Sequence, residues 1–141
     1  MTYYLDTSVL VAALTEEART EDMQSWLSQQ KPENLAISAW VITEFSAALS
    51  IKLRSKQIGE QHRARALAMF SELNSESLVL LPISASQFHT AARLADQHAL
   101  GLRAGDALHL AITMEHGATL VTLDQRLAES GSAAGVPTRL L

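Results

Sequence analysis

The chain has 141 residues, of which 48% are hydrophobic and 18% charged, a balance typical of one globular domain spanning residues 1–141. It has no cysteine, which excludes disulfides, thiolate zinc sites and cysteine nucleophiles, so any metal must be bound by oxygen or imidazole ligands. The formal net charge of −4 argues mildly against a nucleic-acid-binding protein, unless the basic residues are clustered.

The N-terminal segment has no basic stretch of the kind that begins a secretion signal. Its apolar run from Val9 to Leu14 is too short for a signal core or a membrane span. We therefore expect a cytoplasmic protein with no membrane association.

Short apolar runs alternate with longer stretches of helical spacing along the chain. The predicted strands are Tyr3 to Leu5, Leu35 to Ile37, Leu78 to Leu81 and Thr119 to Leu123, with a fifth at Thr138 to Leu140. The predicted helices are Asp22 to Gln29, Ser38 to Ser55, Glu60 to Leu73, Ser84 to His98 and Gly105 to His116. This alternation predicts an α/β protein, a three-layer α/β/α sandwich around a mostly parallel sheet of four to five strands.

In such sheets ligands bind at the carboxyl ends of the strands, and two acids follow predicted strands directly. Asp6 follows the first strand, and Asp124 follows Thr119 to Leu123. Either residue could instead cap the helix that comes next, because aspartate is a favoured N-cap. The position of both acids at the functional edge nevertheless makes them candidate site residues.

Glu44 is the only ionisable residue between Leu35 and Ile51, within a helix that is apolar almost all round. A buried carboxylate is costly unless it is paired, hydrogen-bonded or bound to a metal. The alternative is a glutamate on an exposed stripe of small residues that includes Ser46 and Ser50.

Asp106 opens a second helix with little polar surface, and His109 lies three residues later on the same face. Asp106 could be an N-cap preceded by Gly105. His109, as a lone histidine on an apolar helix, is more often a hydrogen-bonded core residue than a ligand.

The four acids together predict a ring of carboxylates at one end of the sheet. Their mutual repulsion would raise and couple their pKa values unless a cation lay between them. Oxygen ligands suit Mg²⁺ or Mn²⁺, and such ions support hydrolysis of phosphodiesters.

Lysine and arginine side chains could supply a phosphate-binding surface. The main cluster consists of Lys52, Arg54, Lys56, Arg63 and Arg65. Its alternative is a solvated helical hairpin.

The chain resembles the PIN-domain ribonucleases, and most closely the VapC-type toxins of bacterial type II toxin–antitoxin systems. The resemblance spans nearly the whole length. It rests on Tyr4-Leu5-Asp6-Thr7-Ser8, on Glu44, on Leu102 to Ala111 with Gly105-Asp106-Ala107-Leu108-His109, and on Leu120-Val121-Thr122-Leu123-Asp124. It implies a PIN-like fold.

The resemblance also implies roles for the acids. Asp6 and Asp106 would be the principal Mg²⁺ ligands, with Mn²⁺ as the other option, and Glu44 and Asp124 would bind directly or through water. RNA would be hydrolysed by water activated by the metal, leaving a 5′-phosphate and a 3′-hydroxyl.

Two further residues and two partners follow from the same resemblance. Ser8 would orient a water or a phosphate oxygen, and Arg103 would contact phosphate or an antitoxin, unless it forms a structural ion pair. The family implies a homodimer, neutralised by a small antitoxin protein inserted into the acidic groove.

Other functions remain open. The chain could be a catalytically silent module that acts by binding an antitoxin or another DNA-binding partner, although four intact acids argue against it. A phosphoacceptor role for Asp6 is disfavoured, because haloacid-dehalogenase-like sites require a second aspartate where Ser8 stands, and receiver domains require an acidic pair that is missing.

Overall fold

The computed structural model describes residues 1–141 and contains five β-strands and seven α-helices. They are β1 (Tyr3–Leu5), α1 (Thr7–Leu14), α2 (Thr20–Ser28), β2 (Leu35–Ser38), α3 (Ala39–Arg54), α4 (Glu60–Ser77), β3 (Val79–Leu81), α5 (Ala85–Asp96), α6 (Ala104–Glu115), β4 (Thr119–Thr122), α7 (Gln125–Ala133) and β5 (Thr138–Leu140). All five predicted strands are present. The predicted helices are also present, with α4 continuing past Leu73 to Ser77.

The five strands form one sheet in the order β3-β2-β1-β4-β5, and every neighbouring pair is parallel. Parallel crossovers are almost always right-handed, which places α1 to α4 on one face of the sheet and α5 to α7 on the other. The packing agrees with this, since α1 packs on α2, α3 and α4, while α5 packs on α6. The predicted three-layer α/β/α sandwich is confirmed.

Burial follows position in the sheet. Every residue of β2 is buried, whereas Val79 and Leu80 of the edge strand β3 are exposed. Helix α6 has seven consecutive buried residues, Ala107 to Thr113, which explains why its sequence carries so little polar surface. Helix α5 begins with a capping box, in which the Ser84 amide donates to Gln87 Oε1 at 2.9 Å.

The topology sets where the site lies. The chain moves outward in one direction from β1 to β3 and in the other from β4 to β5, so the strand order reverses between β1 and β4. Ligand crevices of doubly wound sheets form at the carboxyl ends of the strands beside such a reversal. Helix α6 runs back toward the start of β4, so its N-terminus lies at this same edge.

No helix is long and apolar enough to cross a membrane.

Candidate active site

Asp6 lies directly after β1 and is 6% exposed. Its carboxylate caps α1 by accepting a hydrogen bond from the Ser8 amide at 3.1 Å, and it also accepts one from the Ser8 hydroxyl. The same hydroxyl accepts from the Leu123 amide at 3.1 Å, beyond the end of β4. Ser8 therefore holds Asp6 beside the end of the neighbouring strand. Asp6 is both the N-cap of α1 and a residue at the carboxyl edge of the sheet.

The surroundings of Asp6 disfavour the charged form of its carboxyl group. Burial raises the pKa of this carboxyl, and the hydrogen bond from Ser8 opposes that shift only in part. The nearby Glu44 carboxylate raises the pKa of Asp6 further. An ionised Asp6 at neutral pH consequently costs folding free energy that a bound cation would offset.

Glu44 lies in the second turn of α3 with its side chain 30% exposed. Its Oε1 atom accepts a hydrogen bond from Thr7 Oγ1 at 2.7 Å and another from His109 Nε2. Burial alone would raise the pKa of Glu44, but the hydrogen bond and charge of His109, together with Thr7, leave it lowered. The partners of Glu44 explain how a carboxylate is accommodated in so apolar a helix.

A buried chain of hydrogen bonds continues from His109 into the core. The Tyr4 hydroxyl lies 2.9 Å from His109 Nδ1 and 2.7 Å from the Ser38 hydroxyl. Because the Glu44 carboxylate can only accept, His109 Nε2 donates the hydrogen bond between them. His109 is 2% exposed, so it is the hydrogen-bonded core residue that its sequence context favoured, and it also contacts a candidate site acid.

Thr7, Tyr4 and Ser38 were not predicted as site residues. Tyr4 and Ser38 lie in or at the end of apolar strands, where their side chains could equally have packed as core. The sequence offered one signal: a buried tyrosine hydroxyl needs a hydrogen-bond partner. It does not identify which residue that partner is.

Gly105 allows α6 to approach α3 closely. A Cβ at this position would lie 3.1 Å from Glu44 Oε2 and 3.4 Å from Trp40 Nε1. The distance to Glu44 is tighter than ordinary van der Waals contact, and the distance to Trp40 is at the lower limit of that range. The absence of a side chain at Gly105 is therefore part of how Glu44 and α6 are brought together.

Asp106 and Asp124 lie at helix N-termini. Asp106 is in the first turn of α6 and accepts from the Arg103 amide at 3.3 Å, whereas Asp124 caps α7 by accepting from the Arg126 amide at 2.9 Å. Asp106 is half-buried and Asp124 is exposed. Both acids line one cavity of about 80 Å³.

The structure thus brings the four acids to one edge of the sheet as two pairs. Asp6 and Glu44 interact with each other, and Asp106 and Asp124 share a cavity. Asp124 also lines a groove with Ser8, which connects the two pairs. No three acidic or histidine side chains converge closely enough to chelate one ion.

The predicted basic cluster is mostly a solvated hairpin surface. Lys52 pairs with Glu17 at 2.9 Å and Arg63 with Glu60 at 3.1 Å, while Arg54, Lys56 and Arg65 are exposed on α3, α4 and their connection. Arg103 is exposed, forms no ion pair, and lines the cavity with Asp106 and Asp124.

Comparison with solved structures identifies proteins of the same architecture. FitAcB from Neisseria gonorrhoeae is 19% identical with a TM-score of 0.68, over 97% of this chain and 96% of that chain. VapC20 from Mycobacterium tuberculosis, described as a sarcin–ricin loop cleaving toxin, is 20% identical with a TM-score of 0.74, over 96% of each chain. VapBC2 from Rickettsia felis, bound to a fragment of its promoter DNA, is 20% identical with a TM-score of 0.67, over 99% of this chain and 98% of that chain.

At these identities the structural likeness shows a shared fold. No curated protein matches the sequence significantly. The sequence model of the PIN domain, in contrast, matches residues 3–131 and so covers most of the chain. The protein belongs to the PIN-domain family.

Proposed function

We propose that this protein is a Mg²⁺-dependent endoribonuclease and the toxic component of a toxin–antitoxin pair. The observation that carries the proposal is the Asp6 carboxylate, buried at the reversal of strand order with Glu44, Asp106 and Asp124 around the same edge. A costly buried acid in a crevice with a perturbed pKa is a feature of functional sites. The match to the PIN-domain family supports the same conclusion.

The residues present fit a hard divalent cation. The donors at this edge are carboxylate and hydroxyl oxygens. Burial raises the pKa of Asp6, and a bound cation would favour its charged form. Mg²⁺ commonly binds through one or two carboxylates and keeps several waters, so it does not require three converging acids. Mn²⁺ accepts the same ligands.

Asp6 and Asp106 would hold the ion, and Glu44 and Asp124 would bind it directly or through water. When bound, the ion would lower the pKa of a water molecule and stabilise the charge that develops on the phosphodiester. Ser8 would keep the Asp6 carboxylate oriented through its hydrogen bond. Arg103, at the mouth of the cavity, would bind a phosphate oxygen of the RNA.

Glu44 has one oxygen that is already used within the protein. Oε1 accepts from Thr7 and His109, whereas Oε2 has no hydrogen-bond partner in the chain. Oε2 is therefore the atom we assign to orienting a water molecule or contacting the ion. Gly105 leaves room beside it.

The choice of RNA and of an antitoxin partner draws on the solved relatives. VapC20 is described as a toxin that cleaves the sarcin–ricin loop, and VapBC2 is a complex bound to promoter DNA. By analogy, we propose an RNA substrate and a cognate antitoxin for this chain.

We also propose the homodimer that the family resemblance implies. Light scattering of the purified protein would measure its molecular mass and so test this.

The test is to express the wild type briefly, map new 5′ ends in total RNA, and compare Asp6→Asn and Asp106→Asn. We expect cleavage and growth arrest with the wild type only. Purified wild type should then cleave the mapped RNA with Mg²⁺ and lose activity in a chelator. Glu76→Gln at the end of α4 is the matched control, because it removes an exposed acid just before the start of β3, at the opposite edge of the sheet, and should leave cleavage unchanged.

Retained cleavage in both aspartate variants would contradict the proposed site. An absence of new 5′ ends with the wild type, combined with growth arrest or partner binding that persists in Asp6→Asn, would favour the catalytically silent binding module instead.

A further inference from the structure

Two arginines stand at the cavity that Asp106 and Asp124 line. Arg103 immediately precedes α6, and Arg126 lies in the first turn of α7. Both are exposed, and both line the same cavity. The sequence motifs suggested a role for Arg103 and none for Arg126, because the position of Arg126 at the cavity depends on how α6 and α7 meet.

The guanidinium groups are free although two carboxylates line the cavity with them. Asp106 accepts from the backbone amide of Arg103, and Asp124 accepts from the backbone amide of Arg126. No oxygen of an acidic side chain lies within 4.0 Å of either guanidinium, and neither group donates a hydrogen bond within the protein. Each aspartate thus accepts from a backbone amide at the start of its helix, and the arginine guanidinium groups have no partner within the protein.

Several other basic side chains are already engaged within the protein. Arg19, Lys52 and Arg63 pair with acids, and Arg139 lies over the rings of Tyr3 and Trp26. Arg103 and Arg126 are the two basic residues that line the cavity.

A phosphate that approaches this edge meets like charge. The chain is acidic overall, and Asp106 and Asp124 add two carboxylates beside the arginines. Binding of a polyanion here requires local cations that offset this repulsion. Arginine suits the task because its planar fork donates two parallel hydrogen bonds to phosphate oxygens and keeps its charge at any working pH.

We propose that Arg103 and Arg126 together form a subsite for an RNA backbone phosphate adjacent to the one that is cleaved. This inference rests on the proposed nuclease function. It extends that function by giving Arg126 a role and by assigning both arginines to the same RNA phosphate. The subsite positions the RNA so that the neighbouring phosphodiester lies beside Asp6 and Glu44. The two arginines contribute to binding and take no part in the chemical step.

The test measures affinity for a short, fluorescein-labelled, single-stranded RNA of mixed sequence by anisotropy, with Asp6→Asn in every protein to prevent cleavage. Removal of a charged hydrogen-bonding group should weaken binding about tenfold in Arg103→Ala and in Arg126→Ala. The slope of log affinity against log salt should fall by about 0.7 for each phosphate that the protein no longer neutralises. Arg126→Lys should retain the salt slope and lose part of the affinity, because lysine keeps the charge without the fork.

Arg93→Ala is the matched control, because Arg93 is exposed on α5 and its guanidinium bonds only to Thr90. It should change neither affinity nor slope, and thermal melting should show all variants folded.

Unchanged RNA affinity and slope in Arg103→Ala and Arg126→Ala would overturn the subsite. The same result combined with weakened binding of a polyglutamate peptide would assign the pair to a protein interface and would also overturn it. Failure of the nuclease proposal is seen separately, as an absence of RNA cleavage by the protein with Asp6 intact.

Discussion

His109 on α6 donates a hydrogen bond from Nε2 to Oε1 of Glu44 on α3, across 65 positions of the sequence. The bond joins helices that belong to opposite faces of the sheet, and it closes at the carboxyl edge where the candidate site lies. Through Tyr4 and Ser38 the histidine is anchored in the core. The orientation of Glu44 therefore depends on core residues as well as on its own helix.

Replacement of His109 by alanine should lower the free energy of unfolding by about 2–4 kcal/mol, because it leaves a cavity and unpaired polar groups. His109→Gln, whose side-chain amide can still donate to Glu44, should lose less. Urea unfolding of the three proteins measures this. Equal losses in both variants would mean that the hydrogen bond to Glu44 contributes little.

Tyr4→Phe removes one hydroxyl and leaves His109 Nδ1 and the Ser38 hydroxyl without a partner. We expect a loss of about 1–3 kcal/mol in the free energy of unfolding. Tyr3→Phe is the matched control, because the adjacent Tyr3 is partly exposed and its hydroxyl makes no hydrogen bond within the chain. If the two variants were equally stable, the buried chain of hydrogen bonds would not be stabilising.

Gly105→Ala places a methyl group against Glu44 Oε2 and the Trp40 indole. Within a helix, alanine is more favourable than glycine by about 0.5–1 kcal/mol, and the close contact of the methyl group opposes this gain. The free energy of unfolding should therefore change little, while RNA cleavage falls at least about tenfold. Gly59→Ala is the control, since nothing lies within 4 Å of its added Cβ. Cleavage is measured with the RNA found by 5′-end mapping, and wild-type activity in Gly105→Ala would contradict the assigned role of Oε2.

Asp6→Asn should stabilise the protein at neutral pH in the absence of metal. Burial raises the pKa of Asp6 above its unfolded value, so the stability linked to its protonation is present below the unfolded pKa and lost as pH rises through the folded pKa. The advantage of Asp6→Asn over the wild type should thus grow with pH in that range. Asparagine retains the N-cap of α1, which keeps the comparison clean.

The measurement is chemical denaturation across acidic to neutral pH, with and without Mg²⁺. Glu44 contributes in the opposite sense, since its lowered pKa gives stability that is lost as pH falls. The groups that lower its pKa, His109 and Thr7, are unchanged in Asp6→Asn. Mg²⁺ should raise the stability of the wild type and have a smaller effect on Asp6→Asn. A wild type that is more stable than Asp6→Asn at neutral pH without metal would contradict the assigned cost of the buried charge.

Local sequence patterns were enough to predict the elements, the parallel sandwich and the four acids as site candidates. Strand and helix periodicity depends on neighbouring residues, and an acid after a strand lies at the functional edge of any parallel sheet. The strand at Thr138–Leu140 followed from the same local rules.

The pairing of those residues is a property of the tertiary structure. Tyr4, Ser38 and Thr7 lie at the candidate site because strand order places β1 between β2 and β4. Thr7 then bonds to Glu44, Tyr4 to His109, and Ser38 to Tyr4. Arg126 reached the cavity of Asp106 because α6 and α7 begin at the same edge. These interactions join residues far apart in sequence, and no local pattern encodes which distant partner a buried polar group will find.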